Sequence, residues 1–451
     1  MHEPLYTADE MREAEARYPG YPASAPELME RAGAAVAREA MRAYPRARRF
    51  AVVCGGGSNG GDGRIAARVL REAGRDAEET TELDGADVIV DALFGTGFHG
   101  EPRPEAAALI ERINATGTPV VAVDIPSGVD GSTGEVATVA VEATLTVTFH
   151  GRKVGLVVAP GRFHAGRVVV ADIGLEARPT RAARATETLL REVPRRAPHD
   201  SKFTAGRVVV VGGSPGMTGA VCLAAEAALR ADAGYVTVAV PRAVLPVVEV
   251  RLLEPVKLPY DTETAVETIL AAESRADAMA IGPGLGRDAA VQSLVREVLE
   301  RSPLPVVVDA DALFGLEPVT RQAATVLTPH SGELARLLGE TPADVDAHRL
   351  SAARRAAERF SAVVLLKGAD TIVVGPAGDP VVCDLAPPSL ATAGSGDVLT
   401  GVIVSFLAKG LAAEVAAAAG AVAHGIAASL APAQAGLIAS DVVAALPQAL
   451  A

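Results

Sequence analysis

The stretch TAGSGDVLTG, residues 392–401, runs directly into the apolar segment VIVSFL and decides how the second half of the chain is interpreted. We interpret it as a loop that becomes the N-terminus of a buried helix. The first N–H groups of a helix have no partner within it, and the helix dipole adds partial positive charge there. Gly394 and Gly396 allow the backbone to approach a bound group. The pattern is therefore typical of a phosphate site.

Asp397 is unexpected in such a loop, because a carboxylate repels an anion. Its presence is explained if it accepts a proton beside the phosphate, as the base for an attacking hydroxyl group. The alternative is an ordinary aspartate cap on a glycine turn. Short glycine motifs occur often by chance, so the motif alone leaves both interpretations open.

Composition restricts the class of protein. A chain of 451 residues exceeds the size of most single cores, which predicts two domains. Hydrophobic residues make up 49% and charged residues 22%, as in soluble globular proteins. The net charge of −13 argues against nucleic acid or an anionic membrane as a partner.

Cysteine usage and the apolar segments bear on location. Cys54, Cys222 and Cys383 are far apart, which predicts no disulfide framework and a reducing, cytoplasmic setting. The first residues lack a basic start followed by an apolar run, so we expect no signal peptide. The Ala-rich segment Val415–Ala431 contains His424 and is interpreted as a buried helix, not as a membrane span.

Apolar strands alternate with helical segments throughout, which predicts α/β domains with mostly parallel sheets covered on both faces. In the first half we predict a helix over Leu28–Ala43 and strands over Phe50–Cys54, Val88–Ala92, Pro119–Asp124 and Leu145–Phe149. Polar residues follow the strand ends, where ligands bind in open α/β sheets. The Arg- and Pro-rich segment Glu176–Pro198 is interpreted as a linker, and a second α/β pattern begins at Arg207–Val211.

The glycine-rich loop GGGSNGGDG, residues 55–63, lies between a strand and a helix. It lacks the spacing of the dinucleotide fingerprint and the Gly-Lys-Ser/Thr ending of a P-loop. We interpret it as a backbone cradle for phosphate or ribose, with Asn59 and Asp62 offering specific contacts. The alternative is a flexible turn, which so many glycines make less favourable because each costs conformational entropy on folding.

Asp91 and Asp124 each end an apolar strand, and Asn59 and Ser127 lie at neighbouring strand ends. Together they form a set of hard oxygen ligands that suits a cation without tight geometric demands. Separate roles as turn formers are the alternative.

Two further motifs in the second half carry charge. His330 and Glu333 are three residues apart at a helix start, where Glu333 is expected to bond backbone N–H groups unless His330 has a catalytic role. Lys367 ends an apolar strand before Gly368, and its ammonium group either reaches the surface or binds phosphate oxygens.

The order of these motifs resembles that of bacterial bifunctional NAD(P)H-hydrate repair enzymes. GGGSNGGDG, DALFGTGF, VDIPSGVDGSTG and TFHGRKVGL resemble the N-terminal domain of that family. GGSPGMTGA, IGPGLG, VVDADALF, LTPHSGELARLL, LLKGADTIV and TAGSGDVLTGVI resemble its C-terminal domain. The matches extend from about Asp9 to Asp441.

The resemblance implies a Rossmann-like three-layer α/β/α domain over residues 1–180 and a ribokinase-like α/β domain over residues 181–451. The first would be an epimerase that interconverts the R and S hydrates of NADH or NADPH at C6 of the nicotinamide ring. The second would be a dehydratase that uses ADP, with Mg²⁺, to return the S hydrate to NAD(P)H, giving AMP and phosphate.

The resemblance also implies residue roles in the epimerase domain. Asn59, Asp91 and Ser127 would hold a potassium ion, and Asp124 would face the substrate as the catalytic acid or base. The implied substrate contacts are Ser58, Asn59, Gly60, Gly61, Asp62, Gly95, Thr96, Gly97, Phe98, His99, Gly100, Glu101 and Asp124. Ser58 stands where the family usually has a first asparagine, a departure that affects a substrate contact and not the metal site.

In the dehydratase domain, Asp397 would be the catalytic base. The implied substrate contacts are Ala220, Gly284, Gly286, His330 and Asp397. The implied nucleotide contacts are Lys367, Gly368, Ala369, Asp370, Thr371, Gly394, Ser395 and Gly396. The run HDSKFTAG replaces the family's His-Lys-Gly, and Lys202 is the nearest match for that lysine.

The main alternative is a ribokinase-like small-molecule kinase with an accessory nucleotide-binding domain. Such kinases often have TPN-x-x-E where this chain has TPH-x-x-E, and His330 in the Asn position favours the dehydratase. A third hypothesis makes the N-terminal half only a binding module, which the intact Asn59, Asp91, Asp124 and Ser127 argue against. We expect small-molecule partners, the hydrates and ADP, and a homo-oligomer.

Overall fold

The computed structural model describes residues 2–451, which form two compact units. The N-terminal unit comprises Pro4–Ala183 with Asp346–His348. The C-terminal unit comprises Arg184–Val345 and Arg349–Ala451, with His2 and Glu3. Up to residue 171 the elements are, in chain order, β1 (His2–Tyr6), α1 (Ala8–Ala16), α2 (Ala25–Ala43), β2 (Arg49–Cys54), α3 (Ser58–Glu72), β3 (Asp76–Glu79), β4 (Val88–Ala92), α4 (Pro104–Ala115), β5 (Val120–Val123), β6 (Leu145–Phe149), β7 (Arg152–Lys153), α5 (Gly161–His164) and β8 (Arg167–Ala171).

The N-terminal unit is built on a parallel sheet of strand order β3-β2-β4-β5-β6-β8, and β1 pairs separately with β7. Neighbouring residues of a strand point to opposite faces. In β4, Val90 packs in the core under α2 and α3, and Ile89 packs under α4 with Ile110. The predicted three-layer α/β/α arrangement is confirmed.

The later elements are β9 (Ala182–Ala185), β10 (Arg207–Val211), α6 (Thr218–Arg230), β11 (Tyr235–Pro241), α7 (Leu245–Arg251), β12 (Val256–Tyr260), α8 (Ala265–Ala272), β13 (Ala278–Ile281), α9 (Ala289–Arg301), β14 (Val306–Val308), β15 (Thr325–Leu327), α10 (Ser331–Leu338), α11 (Pro342–Ala347), α12 (Arg349–Phe360), β16 (Val363–Leu366), β17 (Thr371–Val374), β18 (Val381–Cys383), α13 (Ser395–Ala408), α14 (Ala413–Leu430) and α15 (Ala439–Ala449). In the C-terminal unit the strand order is β12-β11-β10-β13-β14-β15-β16-β17-β18. The strands from β12 to β16 are parallel, and β17 is antiparallel to both of its neighbours.

Helix α13, which follows the TAGSGD loop, lies in the centre of the C-terminal core with α6, α14 and α15. A Cβ atom built on Gly401 would lie 2.2 Å from the carbonyl oxygen of Ala224, so only glycine allows α13 and α6 to pack this closely. Helix α14 is long and apolar enough to cross a membrane by length and composition, yet 67% of it is buried. The prediction of a buried helix here is confirmed.

The interpretation of Glu176–Pro198 as a linker outside both cores is wrong for its central part. Strand β9 and a 3₁₀ turn over Glu187–Glu192 lie within this segment. Leu189, Leu190 and Val193 are buried in the C-terminal core. The high arginine content of the segment favoured the prediction of a linker. Burial of these few apolar residues is nevertheless enough to hold the segment against the C-terminal core.

All three cysteines are free thiols, as predicted. Burial raises the pKa of Cys54 to about 11 and that of Cys383 to about 12. Burial also raises the pKa of Cys222. The thiols are therefore protonated near neutral pH.

Candidate active sites

The functional residues of the N-terminal unit meet at the carboxyl ends of its parallel strands. Strand β2 leads through Gly55–Gly57 into α3, Asp91 lies in β4, and Asp124 follows β5. Parallel strands bring these ends to one edge of the sheet, where ligands bind in open α/β folds.

Asp124 is the centre of a buried hydrogen-bond network. Its carboxylate accepts bonds from Lys153 Nζ at 2.5 Å, from Thr148 Oγ1 at 3.1 Å and from the Thr96 hydroxyl. Burial alone would raise the pKa of Asp124, but the charge of Lys153 and these bonds hold it below its ordinary value. Asp124 has φ 66°, a left-handed conformation that a non-glycine residue adopts only where its surroundings require it.

Lys153 was not among the residues expected from the sequence. Its side chain is fully buried, and Nζ also donates to Thr148 Oγ1 at 2.9 Å and to the Phe149 carbonyl at 2.8 Å. A buried ammonium needs a charged partner, which Asp124 supplies. The sequence GRK looks like an exposed turn, and only its place in the quoted motif TFHGRKVGL could have indicated Lys153.

Asp62 and Asp124 are driven to opposite protonation states. Burial, followed by the charges of Asp124 and Glu15, raises the pKa of Asp62 to about 8. Burial, with the charge of Asp124, also raises the pKa of Glu15 on α1. At neutral pH the site therefore contains an ionised Asp124 beside a protonated Asp62, a pairing typical of acid–base sites.

The predicted oxygen cluster comes together beside this network. Ser127 donates to Asp91 from its hydroxyl at 2.6 Å and from its backbone N–H at 2.8 Å. Asn59 Nδ2 donates to the Phe94 carbonyl at 2.8 Å, and a Cβ built on Gly95 would lie 3.1 Å from Asn59 Oδ1. These contacts place the side chains of Asn59, Asp91 and Ser127 around the turn that follows β4.

Asp91 has the character of a cation ligand. It is completely buried, and in the described part of the chain no lysine or arginine pairs with it. Burial raises its pKa to about 6, even though the hydrogen bonds from Ser127 and Leu93 oppose the rise. A bound monovalent cation would compensate this charge, so the residues present fit potassium.

The glycine-rich loop divides into packed and open positions. A Cβ built on Gly55 would lie 2.0 Å from the Leu93 carbonyl oxygen, and one on Gly60 would lie 1.9 Å from that of Gly55. Gly56 and Gly57 have no atom within 4 Å of such a Cβ. The loop is therefore not a flexible turn: some glycines allow close backbone packing, and two leave open space beside the N-terminus of α3.

The loop after β4, which carries the expected contacts Gly95–Glu101, borders the same site. Thr96 donates to Asp124, and the rings of Phe94 and Phe98 stack with centroids 4.7 Å apart. His99 and Glu101 are exposed. The loop is therefore held at Asp124 through Thr96 and is exposed at His99 and Glu101.

In the C-terminal unit the TAGSGD loop forms the start of α13, as predicted. Gly394 is the N-cap residue with φ 85°, and Ser395, Gly396 and Asp397 form the first turn. Burial first, and then the charge of Asp309, raises the pKa of Asp397 to about 7 against the lowering effect of Lys367. The backbone of Ser395 is bonded to His424 of α14, whose pKa burial lowers to about 4.

Lys367 lies between this loop and a carboxylate missed from the sequence. Its Nζ donates to Asp309 at 2.9 Å and lies 3.7 Å from Glu333, and a Cβ on Gly396 would be 3.4 Å from it. Burial alone would lower the pKa of Lys367, but the charges of Asp309 and Glu333 raise it. A charged ammonium group therefore lies beside the N-terminus of α13.

Asp309 organises this part of the site. It is buried and also accepts bonds from the hydroxyl groups of Thr328 and Thr400, each at 2.7 Å. It directly follows β14, so the strand-end rule that identified Asp91 and Asp124 could also have identified Asp309.

The expected hydrate contacts come from neighbouring loops. Gly284 lies so close to α6 that a Cβ would be 3.2 Å from that of Ala220. Gly286 N–H donates to Asp311 at 3.0 Å. His330 caps α10: its Nδ1 accepts from Gly332 N–H at 3.0 Å, and its own N–H donates to Glu333 at 2.9 Å. The alternative capping role weighed for this motif is thus present, with the ring half-exposed.

The expected nucleotide segment Lys367–Thr371 is the turn between β16 and β17. Asp370 is buried and accepts from Arg349 Nε at 3.0 Å, and Arg349 also donates to the Lys367 carbonyl at 3.2 Å. The carboxylate of Asp370 therefore fixes the shape of this turn through Arg349, a residue not expected from the sequence.

Lys202 lies away from these residues. It is exposed, and its Nζ lies 5.1 Å and 5.7 Å from the ring centroids of Phe203 and Tyr235. Tyr235 begins β11, so Lys202 is at the amino edge of the sheet, opposite the candidate site. Its match to the lysine of the family motif stays a prediction.

Comparison with known proteins supplies the family. The profile described as NAD(P)H-hydrate dehydratase matches residues 208–448, and that described as YjeF-related protein N-terminus matches residues 25–78 and 74–155. A relative from Moorella thermoacetica, named bifunctional NAD(P)H-hydrate repair enzyme, is 40% identical over 94% of this chain and 92% of its own length. The chain belongs to the bifunctional NAD(P)H-hydrate repair enzyme family. A member of this family from Escherichia coli is 34% identical over 93% of this chain and 88% of its own length.

Solved structures agree for the C-terminal unit of this family member. The ADP/ATP-dependent NAD(P)H-hydrate dehydratase of Bacillus subtilis, crystallised with ATP and Mg²⁺, matches with a TM-score of 0.55 and 30% identity over 58% of this chain and 96% of its own. A ribokinase-like protein of Enterococcus faecalis matches with a TM-score of 0.54 and 27% identity over 61% and 97%. The predicted ribokinase-like fold is confirmed.

Proposed function

We propose that this chain repairs hydrated NADH and NADPH in two steps. The domain over residues 1–180 interconverts the R and S hydrates at C6, and the domain over residues 181–451 dehydrates the S hydrate with ADP, giving AMP and phosphate. Family membership supports both steps. The observation that carries the dehydratase assignment is Asp397, a carboxyl group with a pKa of about 7 in the first turn of a buried helix, beside Lys367.

In the dehydratase step Asp397 takes the proton from the C6 hydroxyl group, whose oxygen attacks the terminal phosphorus of ADP. The bond from that phosphorus to AMP breaks. Phosphate then leaves C6 as the ring nitrogen donates electrons, and loss of the C5 proton restores the double bond. A base with a pKa near the working pH suits the first transfer.

The charge that develops on the phosphoryl group is stabilised by fixed groups. The N–H groups around Gly394–Gly396 and the ammonium group of Lys367 lie together at the start of α13. Among residues 2–451 no group of three or more His, Cys, Asp or Glu side chains is arranged to hold a metal. Mg²⁺ would be bound here largely through the nucleotide phosphates, whose charge it would neutralise.

Epimerisation requires a proton to reach the C6 oxygen as it leaves and to be removed from the water that returns on the other face. We assign these tasks to protonated Asp62 and ionised Asp124, with Lys153 keeping Asp124 ionised. Asn59, Asp91 and Ser127 would hold potassium. The ion would neutralise the negative charge of buried Asp91, which has no lysine or arginine partner among the described residues.

The remaining residues are assigned to binding of the hydrate and of ADP. Ser58–Asp62 and Gly95–Glu101 would contact the hydrate in the first domain, and Lys367–Thr371 would contact ADP in the second. The kinase alternative is disfavoured because relatives matching nearly the whole chain are named repair enzymes. Free cysteines agree with the cytoplasm as the place of action.

The experiment that tests the two-step function uses full-length variants. Wild-type protein should convert an R/S mixture of NADH hydrate completely to NADH with ADP. Asp124→Asn should stop near the S fraction, because the R form then reacts only as fast as it epimerises unaided. Asp397→Asn should form NADH about 10²- to 10⁴-fold more slowly than wild type. Mixing the two variants should restore the full yield.

Asp84→Asn and Asp379→Asn, at exposed positions of the two units, are the matched controls and should behave as wild type. If Asp124→Asn alone consumed both forms at one rate, the epimerase assignment would be wrong. If wild-type protein formed no NADH from the S hydrate, the dehydratase assignment would be wrong.

A further inference from the structure

The C-terminal unit contains a cavity of about 200 Å³ that no step above uses. It lies between the first turns of α9 and the segment after β14. Its lining includes Gln292, Arg296, Asp311, Phe314 and Glu317. The cavity is beside the loop over residues 282–288, whose glycines are the expected hydrate contacts.

Asp311 connects this cavity with the reaction centre. Asp311 lines the cavity, and its carboxylate accepts bonds from Gly286 N–H at 3.0 Å and from Arg287 Nε at 2.6 Å. Burial and the charge of Asp309 raise the pKa of Asp397, Lys367 opposes the rise, and the charge of Asp311 adds to it. The hydrogen bond from Gly286 N–H to Asp311 therefore joins the cavity to the loop that carries the expected hydrate contacts.

The lining offers the groups that recognise a nucleoside. The ring of Phe314 is 39% exposed, with the guanidinium of Arg287 5.7 Å from its centroid, which makes a flat surface for stacking. Gln292 donates one Nε2 hydrogen to the Arg287 carbonyl at 3.3 Å, which leaves its Oε1 and second N–H for the edge of an adenine.

Arg296 lies one turn further along the same face of α9 as Gln292 and is exposed. No ion pair or hydrogen bond of its side chain is found among residues 2–451. The neighbouring carboxylate of Asp311 is already neutralised by Arg287. The rim of the cavity therefore has an unpaired cation suited to a phosphate group.

We propose that this cavity binds the adenosine end of the hydrated dinucleotide. Phe314 stacks on the adenine, Gln292 bonds its edge, and Arg296 binds the 2′-phosphate when the substrate is the NADPH hydrate. The inference rests on the proposed dehydratase function. It assigns the site that recognises the end of the hydrate far from the reacting C6. ADP is placed separately, at Lys367–Thr371, so adenine of the co-substrate does not need this cavity.

The test compares two hydrates in the ADP-dependent reaction, NADH hydrate and the hydrate of reduced nicotinamide mononucleotide, which lacks the adenosine end. Gln292→Leu and Phe314→Leu should each raise the KM for NADH hydrate about five- to tenfold with little change in kcat, because they remove binding that is equal in ground and transition states. The KM for the mononucleotide hydrate and the KM for ADP should not change. Arg296→Gln should raise the KM for NADPH hydrate more than that for NADH hydrate.

Arg301→Gln is the matched control, since Arg301 is on the same helix but pairs with Glu267 outside the cavity. Thermal unfolding confirms that each variant is folded. An unchanged KM for NADH hydrate, or an equal rise for the mononucleotide hydrate, would overturn the proposal. A rise in the KM for ADP would instead place the co-substrate's adenine in the cavity. Each of these results requires active wild-type protein, so each is distinct from failure of the dehydratase function.

Discussion

At the scale of single residues, Asp397 sets the pH dependence of dehydration. It must be ionised to accept a proton, and its pKa is raised to about 7. We therefore expect kcat to fall as the pH drops below about 7. Asp397→Asn should lower kcat by about 10²- to 10⁴-fold at every pH while nucleotide binding persists. Steady-state rates and ADP titration calorimetry measure this, and near-normal turnover of the variant would refute the role.

The raised pKa of Asp62 predicts how the stability of the protein depends on pH. Its pKa is about 8 in the folded protein and about 3.8 ordinarily, so between these values the folded state holds a proton that the unfolded state has lost. Stability from this residue therefore decreases as the pH rises from about 4 to 8. Asp62→Asn, which carries no charge, should be more stable than wild type at pH 8 by about 1–3 kcal/mol.

The measurement for Asp62 is chemical unfolding of the full-length variant at pH 5 and pH 8. The gain should shrink toward pH 5, because the wild-type residue is protonated there and resembles the amide. Asp84→Asn, an exposed substitution in the same unit, is the control. An equal difference at both pH values would show that burial does not govern this group.

At the scale of elements, the glycines of the loop from β2 to α3 have two different roles: some allow close packing, and others border the binding site. Gly60→Ala places a Cβ 1.9 Å from the Gly55 carbonyl oxygen and should destabilise the N-terminal unit by several kcal/mol. Gly57→Ala has open space and φ −94°, so it should fold normally yet weaken hydrate binding by covering the start of α3. Thermal unfolding and the epimerase KM distinguish the two variants. Normal stability of Gly60→Ala would contradict the packing argument.

The proposed potassium site is at the turn after β4, and its occupancy can be tested by replacing the cation. Replacing potassium by tetramethylammonium at equal ionic strength should lower both the unfolding temperature of the N-terminal unit and the epimerase rate, because buried Asp91 loses its counter-charge. Asp91→Asn should abolish the potassium-dependent shift in unfolding temperature. If the unfolding temperature and epimerase rate of the wild-type protein were the same with either cation, the assignment of a potassium site would be wrong.

At the scale of the whole molecule, the edge of the C-terminal sheet bears on assembly. Among residues 2–451, strand β12 pairs only with β11, and the nearby Val250 and Leu253 are 85% and 81% exposed. Edge strands with apolar neighbours are pairing surfaces, so we expect a second copy of the chain to cover this one. Light scattering should give an oligomeric mass for wild type and a lower mass for Val250→Glu/Leu253→Glu. Ile438→Glu is the exposed control, and a monomeric wild type would contradict the prediction.

The sequence allowed prediction of the strands, both glycine loops and the carboxylates at strand ends, because these follow from periodicity and from the way parallel strands end together. Lys153 was missed because its burial depends on the surrounding fold and not on its local sequence. Asp309 was missed although it obeys the same strand-end rule as Asp124. The segment around Leu189 was misread because composition outweighed a few apolar residues that tertiary packing buries.

The protonated state of the three cysteines has one more consequence. Thiolates, not thiols, react readily with peroxides and alkylating electrophiles. Burial keeps Cys54, Cys222 and Cys383 protonated, and both proposed reactions rely on carboxylates, an ammonium group and backbone amides. Oxidants that inactivate thiol-dependent catalysts would leave both half-reactions running, so the protein can salvage its redox carriers under the conditions that disable many other enzymes.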